Sequence, residues 1–201
     1  MDAAEAADTI TEAVEEKQHE ARERFRNRAA MVIAVLAAIL AICDVAGDNA
    51  KNAMIDNNIR ASDSWAFYQA KNVRQTQYRL AADELKREIS QPNLSPAARA
   101  AIQTDLAKYE KTAARYEDDP SPNGEGKKQL TARAKGFEEA RDQAGERHEL
   151  FDLSVMLLQL GIVLGSVSIL AQSRPLVWAA GLLGAGGLVL LADGYWLLLP
   201  L

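Results

Sequence analysis

Two almost purely apolar blocks, residues 29–47 and 150–201, constrain this sequence more than any other feature. The residues before the first block and those between the two blocks, 1–28 and 48–149, are strongly polar. Long apolar runs separated by polar segments are typical of an integral membrane protein rather than of a soluble globule. Because the polar segments also have helical composition, we predict an all-α membrane protein.

The apolar blocks divide into three transmembrane helices. A helix needs about 20 mostly apolar residues to cross a bilayer. Residues 29–47 and 150–171 meet this requirement, and the polar triplet QSR then interrupts the second block. The third span is predicted over 175–197, because Pro175 is well tolerated at a first helical position.

Basic residues near the span ends predict the orientation. Four arginines lie between residues 22 and 28, before the first span, and Arg174 lies in the short turn between the second and third. Positive residues favour the cytoplasmic side. We therefore expect 1–28 to be a cytoplasmic amphipathic helix, either docking or simply solvated, and 48–149 to be extracytoplasmic.

The polar segment between the first two spans is predicted to be helical. Residues 48–90 contain no proline or glycine and are rich in good helix formers, so they form one long helix. QPNLSP then breaks it, and Ser95 followed by Pro96 begins a second helix that ends near 117. The stretch 118–127 is a loop by composition. A third helix, 128–149, leads into the second span.

These helices predict a hairpin or coiled-coil-like stalk. The first rises roughly 65 Å, and the two shorter ones together return about the same distance. The second helix carries a stripe with the 4-3 spacing of a coiled-coil seam, formed by Ile102, Leu106, Tyr109, Ala113 and Tyr116. The alternative is a compact bundle folded onto the membrane.

Three aromatic residues, Trp65, Phe67 and Tyr68, stand close together in the polar stretch 61–75. Trp65 would lie roughly 27–30 Å beyond the end of the first span, too far for an interfacial aromatic belt. Trp65 and Tyr68 share one helical stripe, whereas Phe67 falls nearly opposite. We expect packing on both faces, by the same chain and by another copy; the alternative is a singly exposed Phe67.

The stretch ASDSWAFYQAK, residues 61–71, carries a family resemblance together with the alanine-rich span before it and FDLSVMLLQLGIVLGSVSIL at 151–170. It resembles a family of bacterial membrane proteins known as domain of unknown function 4337. The resemblance covers most of the chain, with 91–135 the least characteristic part. It implies a bacterial inner-membrane protein with three spans, and it implies no activity.

Ionisable groups within spans are costly and are therefore candidates for function. Asp44, Asp152 and Asp193 are all predicted near the same outer membrane face, with Gln159 deeper in the second span. Repeated around an oligomer, these groups could form a polar ring that attracts cations. The alternative is that all three carboxylates are hydrated at the interface and stabilise helix ends.

Small residues on the spans predict close helix packing. Gly161 and Gly165 form a close-contact motif on the second span, and Gly181 and Gly184 lie on the third. Ala30, Ala34, Ala38 and Ala41 form a small face on the first. Such faces bring helix backbones together in lipid. Because three separate faces exceed what one three-helix bundle needs, we expect some of them to mediate self-association.

The composition argues against catalysis and cofactors. The chain has one cysteine, Cys43, and two histidines far apart, which disfavours a disulfide, a zinc site or haem. We find no nucleophile–base pair or phosphate loop, and the net charge of −5 disfavours nucleic acid. We predict a non-enzymatic homo-oligomeric scaffold in the lipid bilayer; the alternatives are a cation channel or transporter subunit and an accessory subunit of a larger membrane complex.

Overall fold

A computed structural model describes residues 3–197, with side chains from residue 14 onward. Over this range the chain is all-helical, as predicted, and contains no strand. Four helices follow one another along the chain: α1 at Ala3–Ile89, α2 at Pro96–Glu117, α3 at Lys127–Ala171 and α4 at Arg174–Trp196.

Three of these helices, α1, α3 and α4, are long and apolar enough to cross a membrane. The first and second predicted spans are parts of longer helices, because α1 continues through residues 28 and 47 and α3 through residue 149. Proline is absent from α1, and its one glycine, Gly47, costs only about 1 kcal/mol in a helix interior. The helix therefore has no strong reason to break at either edge of the span.

The chain divides into two compact units, and α1 and α3 contribute to both. The first unit comprises Met1–Asn52 and Ala144–Leu201, and the second comprises Ala53–Gln143.

In the first unit, segments of α1, α3 and α4 pack around a small apolar core. Leu36, Cys43 and Leu158 are its buried centre, and a second cluster joins Ala46, Ala50 and Phe151 nearby. Less than a third of each apolar helix window is buried. Most apolar side chains of this unit therefore point outward, which suits a lipid environment better than water.

In the second unit, α2 and α3 pack end to end against the single long helix α1. Lys86 of α1 pairs with Glu110 of α2, with Nζ 2.9 Å from Oε1, and further towards the start of α1 the Trp65 indole N–H donates to Glu138 of α3. Residues nearer the start of α1 contact residues further along the chain, first in α2 and then in α3. Both helices therefore run antiparallel to α1. The predicted stripe on α2 faces this contact, since its members are less exposed than their neighbours.

The helix ends follow the local sequence. Ser95 caps α2 by accepting a hydrogen bond from the Ala98 amide over 3.2 Å, and Pro96 occupies the first turn, which confirms the predicted start. Between α2 and α3 the chain folds back on itself so tightly that a side chain at Gly124 would overlap the backbone of Asp119. A residue without Cβ is required there.

Candidate functional site

A buried polar junction marks the point where α2 gives way to α3 against α1. The side chain amide of Gln75, only 1% exposed, donates to the Ala113 carbonyl and to the Glu117 carboxylate, both over 2.9 Å. The Lys127 ammonium, also buried, lies 3.1 Å from Glu117 and donates to Asn72 over 3.1 Å. These contacts leave the buried groups satisfied, so the junction holds the three helices in one register.

The junction changes the titration of Glu117. The hydrogen bond from Gln75 and then the ammonium of Lys127 hold the pKa of this carboxyl below its usual value of 4.5, with Arg79 contributing at 3.6 Å. Both partners favour the charged carboxylate. The junction is therefore stabilised by an ionised Glu117.

The aromatic residues of the 61–71 motif have different environments. Trp65 is partly buried, donates to Glu138 over 2.8 Å and meets the Tyr68 ring edge to face at 5.6 Å. Phe67 is 57% exposed. Within one chain, α3 thus contacts Trp65, and the described second unit leaves more than half of Phe67 uncovered.

A row of exposed, uncharged residues runs along α1 on the side away from its packed face. Successive members are four and three residues apart, and every one is exposed. This exposed row, as we call it, consists of Ile55, Ile59, Ser62, Ala66, Gln69, Val73, Thr76 and Leu80. The buried residues Ala61, Ser64, Gln75 and Ala82 lie on the opposite side of the same helix. Segment 55–80 therefore has two faces suited to helix packing, of which the chain itself uses one.

In the first unit, Leu36 of α1 fills a notch between two glycines. A methyl group on Gly161 would come within 3.2 Å of Leu36 and 3.1 Å of the Ala180 carbonyl oxygen, and one on Gly184 would overlap the Leu36 side chain. A methyl group on Gly165 would come within 2.8 Å of Ile33. Three of the four predicted packing glycines thus serve contacts within the chain.

The fourth glycine, Gly181, has no atom within 4 Å of the position that a Cβ would take, among the described residues. Its side of α4 is open. Along α1 in the same unit, a second exposed row has the 3-4 spacing of a close-contact face, formed by Met31, Ala34, Ala38, Ala41 and Val45. Both surfaces are exposed within the described part of this unit.

A buried polar chain connects all three helices of the first unit. The Ser154 hydroxyl on α3 donates to the Gly187 carbonyl of α4 over 2.7 Å, and the Cys43 sulfur of α1 lies 3.2 Å from the same hydroxyl oxygen. Because the serine proton is used on Gly187, the thiol S–H is the donor to Ser154. This thiol–hydroxyl chain satisfies both buried groups and explains the position of the single cysteine.

The three predicted carboxylates lie at one level of the first unit but in different environments. Asp44 follows the buried Cys43, Asp152 approaches Gly47, and Phe151 packs against Gly194 beside Asp193. Asp44 and Asp152 are exposed, whereas Asp193 is only 4% exposed.

Only one other predicted polar residue shares a surface with these carboxylates. Asp152 lies 3.6 Å from the His148 Nε2 atom and lines a shallow groove on α3 together with Gln159. Over residues 14–197, no group of three or more His, Cys, Asp or Glu side chains is arranged to hold a metal ion. The structure thus joins Asp152 and Gln159 in one groove, without Asp44 or Asp193.

A cleft of about 720 Å³ opens in the first unit between the start of the apolar run of α1 and the first turn of α4. Its α4 wall is made by Arg174, Val177 and Trp178, and its α1 wall includes Arg24 and Arg28. The two basic groups predicted from sequence to mark one membrane face therefore line the same cleft.

The family described as domain of unknown function DUF4337 matches residues 25–197. The chain belongs to the DUF4337 family. This match confirms the resemblance seen in the 61–71 motif. No curated protein and no solved structure matches the chain. The DUF4337 region includes both exposed rows, the polar junction and the thiol–hydroxyl chain, and it begins inside the basic cleft.

Sequence reasoning missed several of these features. The partners of Gln75 and Cys43 lie 38 and 111 residues away, and nothing local identifies them. The exposed row, in contrast, left a signal in the DUF4337 sequence: eight successive positions at 4-3 spacing, from residue 55 to residue 80, carry no charge. Counting uncharged positions at this spacing would have found it.

Proposed function

We propose that this protein is a three-span membrane protein whose copies pair through α1, and that it acts as a non-enzymatic scaffold or organiser in the bacterial inner membrane. The observation that carries the proposal is the exposed row on α1. Its eight positions are uncharged and exposed although they lie in a polar part of the chain. Such a face is expected to be covered by another helix.

A second copy of the same helix fits the exposed row best. Copies inserted in one membrane with the same orientation have parallel α1 helices, so identical residues can meet in register. The 4-3 spacing is that of a coiled-coil seam, and the alternate positions 59, 66, 73 and 80 are apolar, with large aliphatic side chains at Ile59, Val73 and Leu80. The spacing of a parallel pair is present throughout, and its apolar layers alternate with uncharged polar layers at Ser62, Gln69 and Thr76.

The flanks of the exposed row also tolerate self-pairing. In a parallel coiled coil, a residue on one flank faces the residue five positions further along the partner helix. The resulting pairs contain no like charges and one opposite pair: Asn58 with Asp63, Trp65 with Ala70, Asn72 with Gln77, and Arg79 with Glu84. Electrostatics thus supports the parallel arrangement.

The second exposed row, on the apolar part of α1, supports the same pairing within the bilayer. Ala34, Ala38 and Ala41 are small and exposed, so two α1 backbones can approach closely. The charged Asp48 separates this row from the one that begins at Ile55. We therefore propose two separate contacts on one helix.

The proposed orientation places the amino terminus in the cytoplasm and the second unit outside, as a helical stalk. It is supported by Arg24, Arg28 and Arg174 lining one cleft, since these are the basic groups that favour the cytoplasmic side. The substitution Ser121→Cys, with labelling of intact cells by a membrane-impermeant thiol reagent, tests this orientation. We expect the cysteine to be labelled. Protection of the cysteine until the cells are opened would contradict the orientation.

The other two functions find less support. A cation channel would need carboxylates gathered around one path, whereas Asp193 is buried and the groove lined by Asp152 and Gln159 includes neither Asp44 nor Asp193. An accessory subunit would use the exposed row for a different partner. Whether the chain pairs with a second copy of itself therefore distinguishes the scaffold from the accessory subunit.

The mass of the particle tests the proposal. Protein extracted from membranes in mild detergent and measured by native mass spectrometry is expected at two or more times the 21.9 kDa of one chain. A particle that contains one copy, either alone or bound to a different protein, would contradict self-pairing. Copurification of a second protein in fixed ratio would favour the accessory subunit instead.

A further inference from the structure

The basic cleft of the first unit has the chemistry of a lipid headgroup site. Four cationic side chains line it, Lys17, Arg24, Arg28 and Arg174, against one carboxylate, that of Glu20. The cleft is therefore net positive. Its volume of about 720 Å³ is within the range of small-molecule binding sites.

Among the side chains that the structure describes, most of these cations have no ion-pair partner. Arg24 pairs with Glu20 at 2.6 Å. Arg28, Arg174 and Lys17 have no ion-pair partner among the side chains that the structure describes. An anion entering the cleft would therefore compete with Glu20 for Arg24, and would meet three further cations without a described ion-pair partner.

The first turn of α4 adds donors to the same place. Ser173, before the first residue of α4, makes no side-chain cap hydrogen bond. Pro175 has no N–H and the Ser173 amide donates to Ser168, so the amide groups of Arg174 and Leu176, with the positive end of the helix dipole, are what favours an anion there. This end of α4 lies in the cleft through Arg174 and Val177.

Part of the lining of the cleft is apolar, which favours a lipid over a soluble anion. Phe25, Val177 and Trp178 line it, and the Trp178 side chain is 77% exposed. The cleft is also placed where the apolar run of α1 and that of α4 both begin. In the proposed membrane protein this is the cytoplasmic interface, where amphipathic tryptophans are favoured.

We propose that this cleft binds an anionic phospholipid of the cytoplasmic leaflet, with its phosphate between Arg24, Arg28 and Arg174 and an acyl chain against Trp178. Basic pockets between membrane helices on this side are suited to such headgroups. The inference rests on the proposed membrane insertion. Fluorescence quenching by brominated lipids distinguishes a failure of the lipid site from a failure of membrane insertion.

Trp178 itself provides the readout. With Trp65→Phe and Trp196→Phe, it is the one remaining tryptophan of the chain. In phosphatidylcholine vesicles containing a small fraction of brominated phosphatidylglycerol, bromine quenches Trp178 when that lipid occupies the cleft. We expect the apparent affinity for brominated phosphatidylglycerol to exceed that for brominated phosphatidylcholine by about fivefold or more, since each basic residue near an anionic lipid contributes about this factor.

Two double variants test whether the lipid preference depends on the arginines that line the cleft. Arg24→Gln with Arg28→Gln removes two charges from the cleft. This variant should bind the two brominated lipids with nearly equal affinity, so the ratio of the two affinities should fall close to one. Arg22→Gln with Arg26→Gln removes two charges from the same segment of α1, outside the cleft, and should retain most of the preference. Both double variants remove two positive charges from the segment that sets the membrane orientation. If both lose the lipid preference equally, the attraction depends on the total charge of the segment and not on the cleft, and the proposal is overturned.

Three further outcomes would also overturn it. Equal quenching by the two brominated lipids in the otherwise unchanged chain would exclude headgroup selection. Loss of the preference in 20 mM inorganic phosphate, but not in chloride of the same ionic strength, would identify a soluble anion as the ligand. An absence of quenching by either lipid would refute membrane insertion as well, whereas the other outcomes leave insertion standing.

A second measurement does not depend on the tryptophan changes. The wild-type chain extracted in mild detergent from vesicles containing both lipids is expected to retain phosphatidylglycerol in native mass spectra, and the Arg24→Gln, Arg28→Gln variant to retain less. Equal retention by the two chains would contradict the site.

Discussion

Placing a charge in the middle of the exposed row should separate the copies. Val73 is 57% exposed in one chain, and the proposed pairing covers it with Val73 of a second copy. The substitution Val73→Asp leaves the packed face of α1 unchanged, because Gln75 and Ala82 on that face are not touched. The variant should therefore keep its fold and lose its partner.

The size of the effect follows from burial and charge. Complete burial of a valine side chain contributes about 1.5–3 kcal/mol, so covering the exposed half contributes about 1 kcal/mol per copy. Two carboxylates about 6 Å apart repel each other by about 0.7 kcal/mol in water and about 3 kcal/mol at a partly dry surface. The variant loses both amounts. We expect pairing to weaken by about 3 kcal/mol or more, which is over 100-fold in the dissociation constant.

Energy transfer between labelled copies in vesicles measures this change. A single cysteine introduced at Ser121 carries the donor or the acceptor dye, and Cys43 can stay because it is buried. Transfer is followed while the protein is diluted with lipid. The matched control is Ala107→Asp, which puts the same charge at an exposed position on α2 and should leave the dilution curve unchanged.

The reasoning fails if Val73→Asp and Ala107→Asp give the same dilution curve as the unchanged chain. It also fails if both weaken pairing equally, because net charge and not the exposed row would then control association. Circular dichroism of each variant verifies that helix content is retained.

Three further predictions concern the two units themselves, each measured by thermal unfolding in detergent. Gly184→Ala should lower the free energy of unfolding by about 1–3 kcal/mol, because the added methyl overlaps a buried leucine of α1. Ser154→Ala should cost about 0.6–1.7 kcal/mol, because it removes the centre of the thiol–hydroxyl chain. Glu117 has a lowered pKa in the folded chain, so its stabilisation is complete above its ordinary value of 4.5 and is lost as the pH falls through the folded pKa. Glu117→Gln should therefore lower the melting temperature at pH 7 and reduce the fall of the melting temperature as the pH is lowered below 4.5.

Each of these predictions has a control in the chain. Gly181→Ala, in open space, should be neutral or slightly stabilising, and a loss as large as that of Gly184→Ala would contradict the notch. Ser166 bonds only the carbonyl of Ile162 in its own helix, so Ser166→Ala should cost less than Ser154→Ala. Glu139→Gln, at an exposed position of α3, should leave the acid dependence intact. An unchanged acid dependence in Glu117→Gln would show that this carboxylate is not its source.

Much of the fold was predictable because the relevant signals are local. The apolar runs identify the three helices able to span a membrane, and Ser95 with Pro96 places the start of α2. Helical periodicity also assigned Trp65 and Phe67 to opposite sides of α1, and the structure gives them different exposure. Each of these features depends on residues within a few turns of one another.

The packing partners were not predictable, because they depend on residues far apart in sequence. A glycine at 161 or 184 indicates a close contact, but nothing nearby says that Leu36 fills it. For the same reason, the sequence gives no sign of how Gln75, Glu117 and Lys127 meet. The exposed row illustrates the limit best, because an uncharged helical stripe becomes an interaction surface only once the opposite face is known to be occupied.

Disulfide formation between copies in native membranes tests the pairing of α1 most directly. Cysteines are introduced one at a time from residue 55 to residue 80, and mild oxidation follows. We predict strong cross-linking at Ile59, Ala66, Val73 and Leu80, seven residues apart, with weak cross-linking at the positions between the members of the exposed row. Cross-linking that is absent, or equal at every exposed position, would contradict the account.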